Sequence, residues 1–246
     1  MLSLIDMHHH LLYGMDDGPE NETEMEQMLA EAQRAGVTTI IATPHITPGI
    51  VPFSMALLEQ RVTQANRACE RLGFNLRVLP GSEMLYTFQT GRYLAEKRVP
   101  TLAGTNQVLV EFDPQVQFFE MLDAISTILC NGYVPVLAHV ERYSCLMRHP
   151  KRAIRLKEQH QVLYQLNESA ILKNGFGFTA ITVRMLLRKG LINLVGSDAH
   201  NLESRRCRLG DTHRKLQSEF GPERADRMTG NGLSPEEFLD RGLVGG

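Results

Sequence analysis

The sequence predicts an α/β barrel, on three observations. Short apolar, β-branched runs alternate with helix-period segments, about seven such runs occur, and no GxGxxG or GxxxxGK[ST] loop accompanies them. The first strand spans residues 2–5. Residues 22–35 place Met25, Met28, Leu29 and Ala32 at i, i+3, i+4 and i+7, the stripe of an amphipathic helix, with Asn21 to cap its start and Gly36 its end. Residues 37–43 (VTTIIAT) read as a buried strand. A helix over 54–72 carries Leu58, Val62, Ala65, Cys69 and Leu72 on one face, and 75–79 is the third strand. Strands at 107–112, 133–138, 162–166 and 191–195 follow, separated by helices at 117–131, 151–160 and 179–189. Strict alternation implies parallel strands with helices on their faces. The glycine-rich stretches 175–177 and 242–246 lack the setting of a phosphate loop and read as turns. No low-complexity linker divides the chain, so residues 1–246 are read as one domain.

Bulk properties narrow the function. A composition of 43% apolar and 22% charged residues is that of an ordinary soluble protein. No run approaches the ~18–20 apolar residues needed to span a bilayer, and the start, Met1 to Asp6, lacks the basic and apolar regions of a signal peptide. A cytoplasmic location is expected. The net charge of −2 gives no attraction to nucleic acid. Cys69, Cys130, Cys145 and Cys207 lack a CxxC pair and read as reduced thiols.

The unusual polar residues fall in one kind of place. Asp6, His8 and His10 follow the first strand, His45 the second and Glu83 the third; Glu111 closes the fourth, His139 ends the fifth, and Asp198 and His200 follow the last. Parallel strands send all of these ends to one mouth of a barrel. Side chains alternate along an extended chain, so His8 and His10 can point together while His9 points away. Imidazoles and carboxylates without thiolates suit Mn²⁺, Fe²⁺ or Zn²⁺. Their number exceeds what one ion needs, and Glu83 could bridge two or three. Such a cluster activates water for hydrolysis and clamps a phosphoryl group without a protein nucleophile. Asp6 is expected to orient His8 instead of ligating. His9, His149, His160 and His213 fit no site and read as surface or packing residues.

The motifs Asp6-Met7-His8-His9-His10, Asp16-Asp17-Gly18-Pro19, Thr43-Pro44-His45, Gly81-Ser82-Glu83, His139-Val140-Glu141-Arg142-Tyr143 and Ser197-Asp198-Ala199-His200 occur in this order over residues 1 to about 210. Together they resemble the PHP (polymerase and histidinol phosphatase) superfamily, and within it the capsule-type bacterial protein-tyrosine phosphatases of the CpsB/CapC branch. The resemblance implies a distorted (β/α)₇ TIM-like barrel with up to three divalent ions, commonly Mn²⁺, at the C-terminal ends of the strands. It implies that His8 and His10 hold one ion with Glu83 and Asp198. Glu111 and His139 would share a second with Glu83, and Asp17 a third with His45 and His200. From pattern alone, Asp16 and Asp17 pass for turn residues. By the same resemblance Arg142 and Arg205 bind phosphate oxygens; Arg205 stands beside Arg206, and sequence does not separate them. The implied substrate is phosphotyrosine on the tail of a bacterial tyrosine kinase of polysaccharide export, cleaved by a metal-activated hydroxide. A homo-oligomer is compatible with the sequence.

The cysteine-dependent tyrosine phosphatases are excluded, because they need an Arg six residues after Cys, where this chain has Asn75, Val136, Lys151 and His213. A histidinol-phosphate phosphatase would use the same metal chemistry, and the DDGP and HVERY motifs argue against it. An exonuclease would want a basic face, and an amidohydrolase a different ligand order. A non-catalytic metal-binding regulator would need no phosphate-binding arginines.

Overall fold

The structure, a computed structural model, describes residues 2–173 and 177–243. Among the described residues nine parallel strand segments run in chain order: β1 (Leu4–His9), β2 (Val37–Ala42), β3 (His45–Ile46), β4 (Arg77–Pro80), β5 (Glu83–Leu85), β6 (Gln107–Glu111), β7 (Val134–Leu137), β8 (Leu163–Asn167) and β9 (Leu194–Gly196). The helices are α1 (Glu22–Arg34), α2 (Met55–Leu72), α3 (Thr90–Ala95), α4 (Phe118–Cys130), α5 (Ser144–Met147), α6 (Pro150–Gln159), α7 (Glu168–Leu172), α8 (Phe178–Arg188), α9 (Leu209–Phe220), α10 (Pro222–Thr229) and α11 (Pro235–Leu243). Of the expected glycine turns, residues 175–176 and 244–246 lie outside the described residues; Gly177 precedes α8, and α11 runs to Leu243.

Two of the expected strands, 37–43 and 75–79, are each continued past a break by a short segment that was not expected, β3 and β5. Ala42 pairs with Pro80 at the end of β2 and β4, and His45 pairs with Glu83 at the start of β3 and β5. The offset between partners is the same on both sides, so β2–β3 and β4–β5 are continuous staves interrupted by a kink. Pro44 offers no N–H to the ladder, and Gly81 lets the two staves approach: a Cβ there would lie 2.9 Å from Ile41 Cγ2. Counted this way the described residues form seven staves. The last meets the first where His9 bridges Ala199, the Asp198 amide donates to His8 O (2.8 Å) and the His10 amide donates to Ala199 O (2.9 Å). The first strand was expected at 2–5; it runs instead to His9, carrying Asp6 and His8 within it, with irregular pairing to β2 between Asp6 and His9.

The interior is layered. Ile5, Met7, Ile41, Leu109, Val136, Leu163 and Leu194 fill the barrel, and Phe238 and Leu239 of α11 pack into the same cluster. Gln107, at the start of β6, donates its Nε2 to Leu239 O at 2.8 Å. The closing helix thus plugs the end where the strands begin, a role the sequence did not reveal. Among the described residues no helix is long and apolar enough to cross a membrane.

Candidate metal centre

The parity that buries apolar side chains low in the barrel brings polar ones to its top. On β6 Leu109 is followed by Glu111; on β8 Leu163 is followed by Gln165 and Asn167; past β9 Leu194 is followed by Asp198. His45 and Glu83 open the upper halves of the kinked staves. His139 and Asp198 both hold left-handed backbone, at φ 32° and 55°. For non-glycine residues this costs about 1–3 kcal/mol each, a strain that gathers at functional sites. Two glycines make room: a Cβ on Gly18 would stand 2.5 Å from His10 O, and one on Gly196 2.6 Å from His8 Cβ.

All nine expected ligands meet at this mouth. Donor atoms of His8, His10, Glu83 and Asp198 lie within 4.8 Å of one another, as do those of His10, Asp17, His45 and His200, and those of His45, Glu83 and Glu111. His139 joins through Nε2, 2.8 Å from Glu83 Oε1 and 3.3 Å from Glu111 Oε1. Glu83 is central to the group, with Oε2 also 3.2 Å from nitrogens of His8, His10 and His45. The first group is fully buried, whereas Asp17 is 61% and His45 36% exposed and face the opening.

The donor set fits a cation. His8 Nδ1 faces the Gln165 carbonyl oxygen (3.2 Å) and His10 Nδ1 faces the Asp16 carboxylate (2.7 Å), so both carry hydrogen on Nδ1. Their Nε2 atoms then confront each other at 3.2 Å with Glu83 Oε2 alongside. His200 donates from Nδ1 to Asp198 O (2.9 Å), which leaves its buried Nε2 bare and without a hydrogen bond, 3.3 Å from Asp17 Oδ1. Lone pairs packed this way repel unless a positive charge sits among them. In the cation-free protein protons take that place. Burial alone would lower the His10 pKa, but Asp16 and Glu83 outweigh it and push it up to about 10. His139, opposed by the same burial, is pushed up to about 9 by Glu111 and Glu83. Burial works to raise the Glu83 and Asp198 pKa values, yet His8 and the surrounding cationic groups hold both below the ordinary range.

Several residues differ from expectation or went unread. Asp6 is buried, but its carboxylate accepts from backbone amides, Ser197 at 2.9 Å and His8 at 3.4 Å; the His8 ring is held by Gln165. Asp6 thus ties β1 to the segment after β9 and does not orient the imidazole. Asp16, read as a turn residue, is the carboxylate that aligns His10, and it also accepts the His45 amide (3.1 Å). Gln165 and Asn167 are not among the expected site residues, and β8 runs one residue past the expected strand to include Asn167; two amides at i, i+2 near the end of a buried strand are the signal that the sequence offers. His9 is fully buried with neither ring nitrogen partnered, and burial lowers its pKa to about 3. Arg142 Nη2 donates to Asp198 Oδ2 (2.7 Å) and Arg205 Nη2 to Asp198 Oδ1 (2.8 Å), whereas Arg206 turns to Glu31 (3.5 Å). We expect Arg205→Ala to lower kcat/KM on an aryl phosphate roughly 10- to 100-fold, the value of a charge-assisted pair. Arg206→Ala, which breaks only a 3.5 Å pair between an exposed guanidinium and the part-buried Glu31, away from Asp198, should change it by less than about threefold.

A closed ring of parallel staves with histidines and carboxylates at its mouth defines a barrel of the metal-dependent hydrolase type. A family model described as capsular polysaccharide synthesis, CpsB/CapC, matches residues 4–234, and the chain belongs to that family. It is 28% identical over 229 residues to the tyrosine-protein phosphatase CpsB of Streptococcus pneumoniae, covering 92% of this chain and 94% of the relative. With the tyrosine-protein phosphatase YwqE of Bacillus subtilis (strain 168) it shares 31% identity over 230 residues, covering 93% and 89%. One chain from the crystal structures of YwqE and CpsB, described as unique metal-dependent tyrosine phosphatases, superposes with a TM-score of 0.84 at 30% identity, covering 97% of this chain and 95% of that one. Histidinol phosphate phosphatase from Lactococcus lactis, at TM-score 0.58 and 14% identity over 94% of this chain and 95% of its own, shares the fold.

Proposed function

We propose that the chain is a metal-dependent protein-tyrosine phosphatase acting on the phosphorylated tail of a bacterial tyrosine kinase of polysaccharide export, with the whole chain forming one catalytic domain. The observation that carries this reading is the convergence of Arg142 and Arg205 on Asp198, at the edge of a buried group of histidine and carboxylate donors. His8, His10, Glu83 and Asp198 would hold one cation, Glu83, Glu111 and His139 a second, and Asp17, His45 and His200 a third, with Mn²⁺ the favoured occupant. Bound cations supply Lewis acidity toward the phosphoryl oxygens and make water nucleophilic at neutral pH.

The chain's own groups do the rest. Arg142 and Arg205 are each more than a third exposed, so their guanidinium groups can turn from Asp198 to phosphate oxygens and offset the charge that grows on them. Asp16 and Gln165 keep His10 and His8 in the tautomers that present bare Nε2 atoms. A cleft of about 650 Å³ opens beside Asp198, lined among others by Arg142, Ser169, Lys173 and Arg205, wide enough for a tyrosyl ring with part of its peptide. The phenol leaves as a weak base, pKa about 10, and needs less protonation than an alkoxide would.

A polypeptide substrate suits the surroundings of the mouth. Ile50 and Val51 after β3, Phe88 after β5, Phe119 after β6 and Phe178 and Ile181 after β8 are large apolar side chains left exposed on segments that follow strand ends. Thr87 Oγ1 donates to Pro48 O (2.8 Å), fastening the first two of these loops together. Partial burial of one phenyl ring contributes on the order of 1 kcal/mol. We therefore expect Phe88→Ser or Phe178→Ser to raise KM for a tyrosine-phosphorylated protein about fivefold and to leave kcat/KM for p-nitrophenyl phosphate unchanged. Equal effects on both substrates would remove these residues from substrate docking. The reading as a whole is tested by comparing phosphotyrosine peptide with histidinol phosphate on one preparation; preference for histidinol phosphate overturns it.

A further inference from the structure

We infer that Gln165 and Asn167 form an amide relay that sets the ring tautomer of His8 and aims Asp198, making both positioning residues of the metal centre. Strand β8 is the one stave, among the described residues, that ends without a candidate ligand. It carries two amides there instead, at alternate positions of one buried face. The inference rests on the ligand assignment proposed above.

The orientation of each amide follows from its neighbours. The His139 backbone N–H can only donate, and it lies 2.6 Å from Gln165 Oε1, which fixes that atom as the oxygen. The same oxygen is 3.2 Å from His8 Nδ1, so Nδ1 must carry the hydrogen and Nε2 the lone pair. Gln165 Nε2 donates to Asn167 Oδ1 (2.9 Å), which leaves Asn167 Nδ2 to donate to Asp198 Oδ2 (2.6 Å). Five residues, on β1, on β8 and in the turns after β7 and β9, are thereby joined with no free choice of proton position. Gln165 anchors the amide that follows β7 just where His139 takes its left-handed turn, and Asn167 holds one oxygen of Asp198 so that the other stays 3.5 Å from His8 Nε2. Gly196 leaves room for the relay, since a Cβ there would stand 3.3 Å from Gln165 Nε2. Buried amides that only filled space would be satisfied by any backbone partner. These engage three expected ligands and each other.

The test is Mn²⁺ titration of metal-stripped protein, followed calorimetrically, for the parent, Gln165→Leu, Gln165→Glu and His8→Ala, with circular dichroism to confirm folding. Gln165→Leu removes both acceptor contacts and should weaken Mn²⁺ binding roughly 10- to 100-fold. Gln165→Glu keeps both acceptor contacts, to His8 Nδ1 and the His139 amide, but loses the donor to Asn167, so it should weaken binding less than Gln165→Leu does. Parent-like affinity in Gln165→Leu, or equal losses in the two variants, overturns the relay. Undiminished binding in His8→Ala overturns the ligand assignment itself. A readout that needs no variant is the ¹⁵N spectrum of the parent loaded with Zn²⁺: hydrogen on His8 Nδ1 supports the relay, and hydrogen on Nε2 refutes it.

Discussion

Exhaustive removal of divalent cations should reduce aryl phosphate hydrolysis to background, and adding back Mn²⁺, Fe²⁺ or Zn²⁺ should restore it. The expectation rests on electrostatics. Glu83 meets nitrogens of four histidines, and Asp198 meets both arginines, in a largely buried space that no single protein charge neutralises. The protons that occupy the stripped site give the pH dependence. With pKa values of about 10 for His10 and about 9 for His139, both rings are protonated at neutral pH before a cation enters. The cations that His10 and His139 would hold must displace those protons, so apparent affinity should climb with pH up to about 9–10 and level off above, with proton release detectable in weakly buffered solution. Undiminished turnover in protein shown by elemental analysis to be free of metal would sink the reading.

The second large effect is expected at Asp198. Asn is nearly isosteric and tolerates left-handed backbone, so Asp198→Asn should fold where alanine would leave a strained void. It nevertheless removes the charge that aligns Arg142 and Arg205 and weakens one expected ligand. Loss of preorganised charge stabilisation at such a point lowers kcat by on the order of 10²–10³-fold. Steady-state kinetics on p-nitrophenyl phosphate at saturating Mn²⁺ measures it, and a kcat within severalfold of the parent would place Asp198 outside the reaction.

Much of this architecture was readable before any coordinates. The helix at 22–35 announced itself through its stripe and its Asn21 cap, which accepts from the Glu24 amide (3.0 Å). The expected ligands stood out because His and carboxylates are rare at the ends of buried strands, and parallel topology brings such ends together. What stayed hidden has physical reasons. Segments of two or three residues such as β3 and β5 show no periodicity, so the kinks at Pro44 and Gly81 were invisible. The role of α11 depends on which end of the barrel it reaches, a tertiary fact. Asp16 and Asp17 are adjacent and chemically identical, and only the turn geometry sends one to His10 and the other toward His45 and His200. Gln165 and Asn167 carry no charge, and an amide in a strand is unremarkable until its partners are seen.

The left-handed turns at His139 and Asp198 carry an implication for how this barrel can be improved. A chain selected only for endurance to heat would place glycine at both positions, relaxing the backbone and forfeiting an imidazole and a carboxylate. Heat-hardened variants recovered without a screen for turnover should therefore collect changes at those two places, and each such gain in hardiness should come with a silent enzyme.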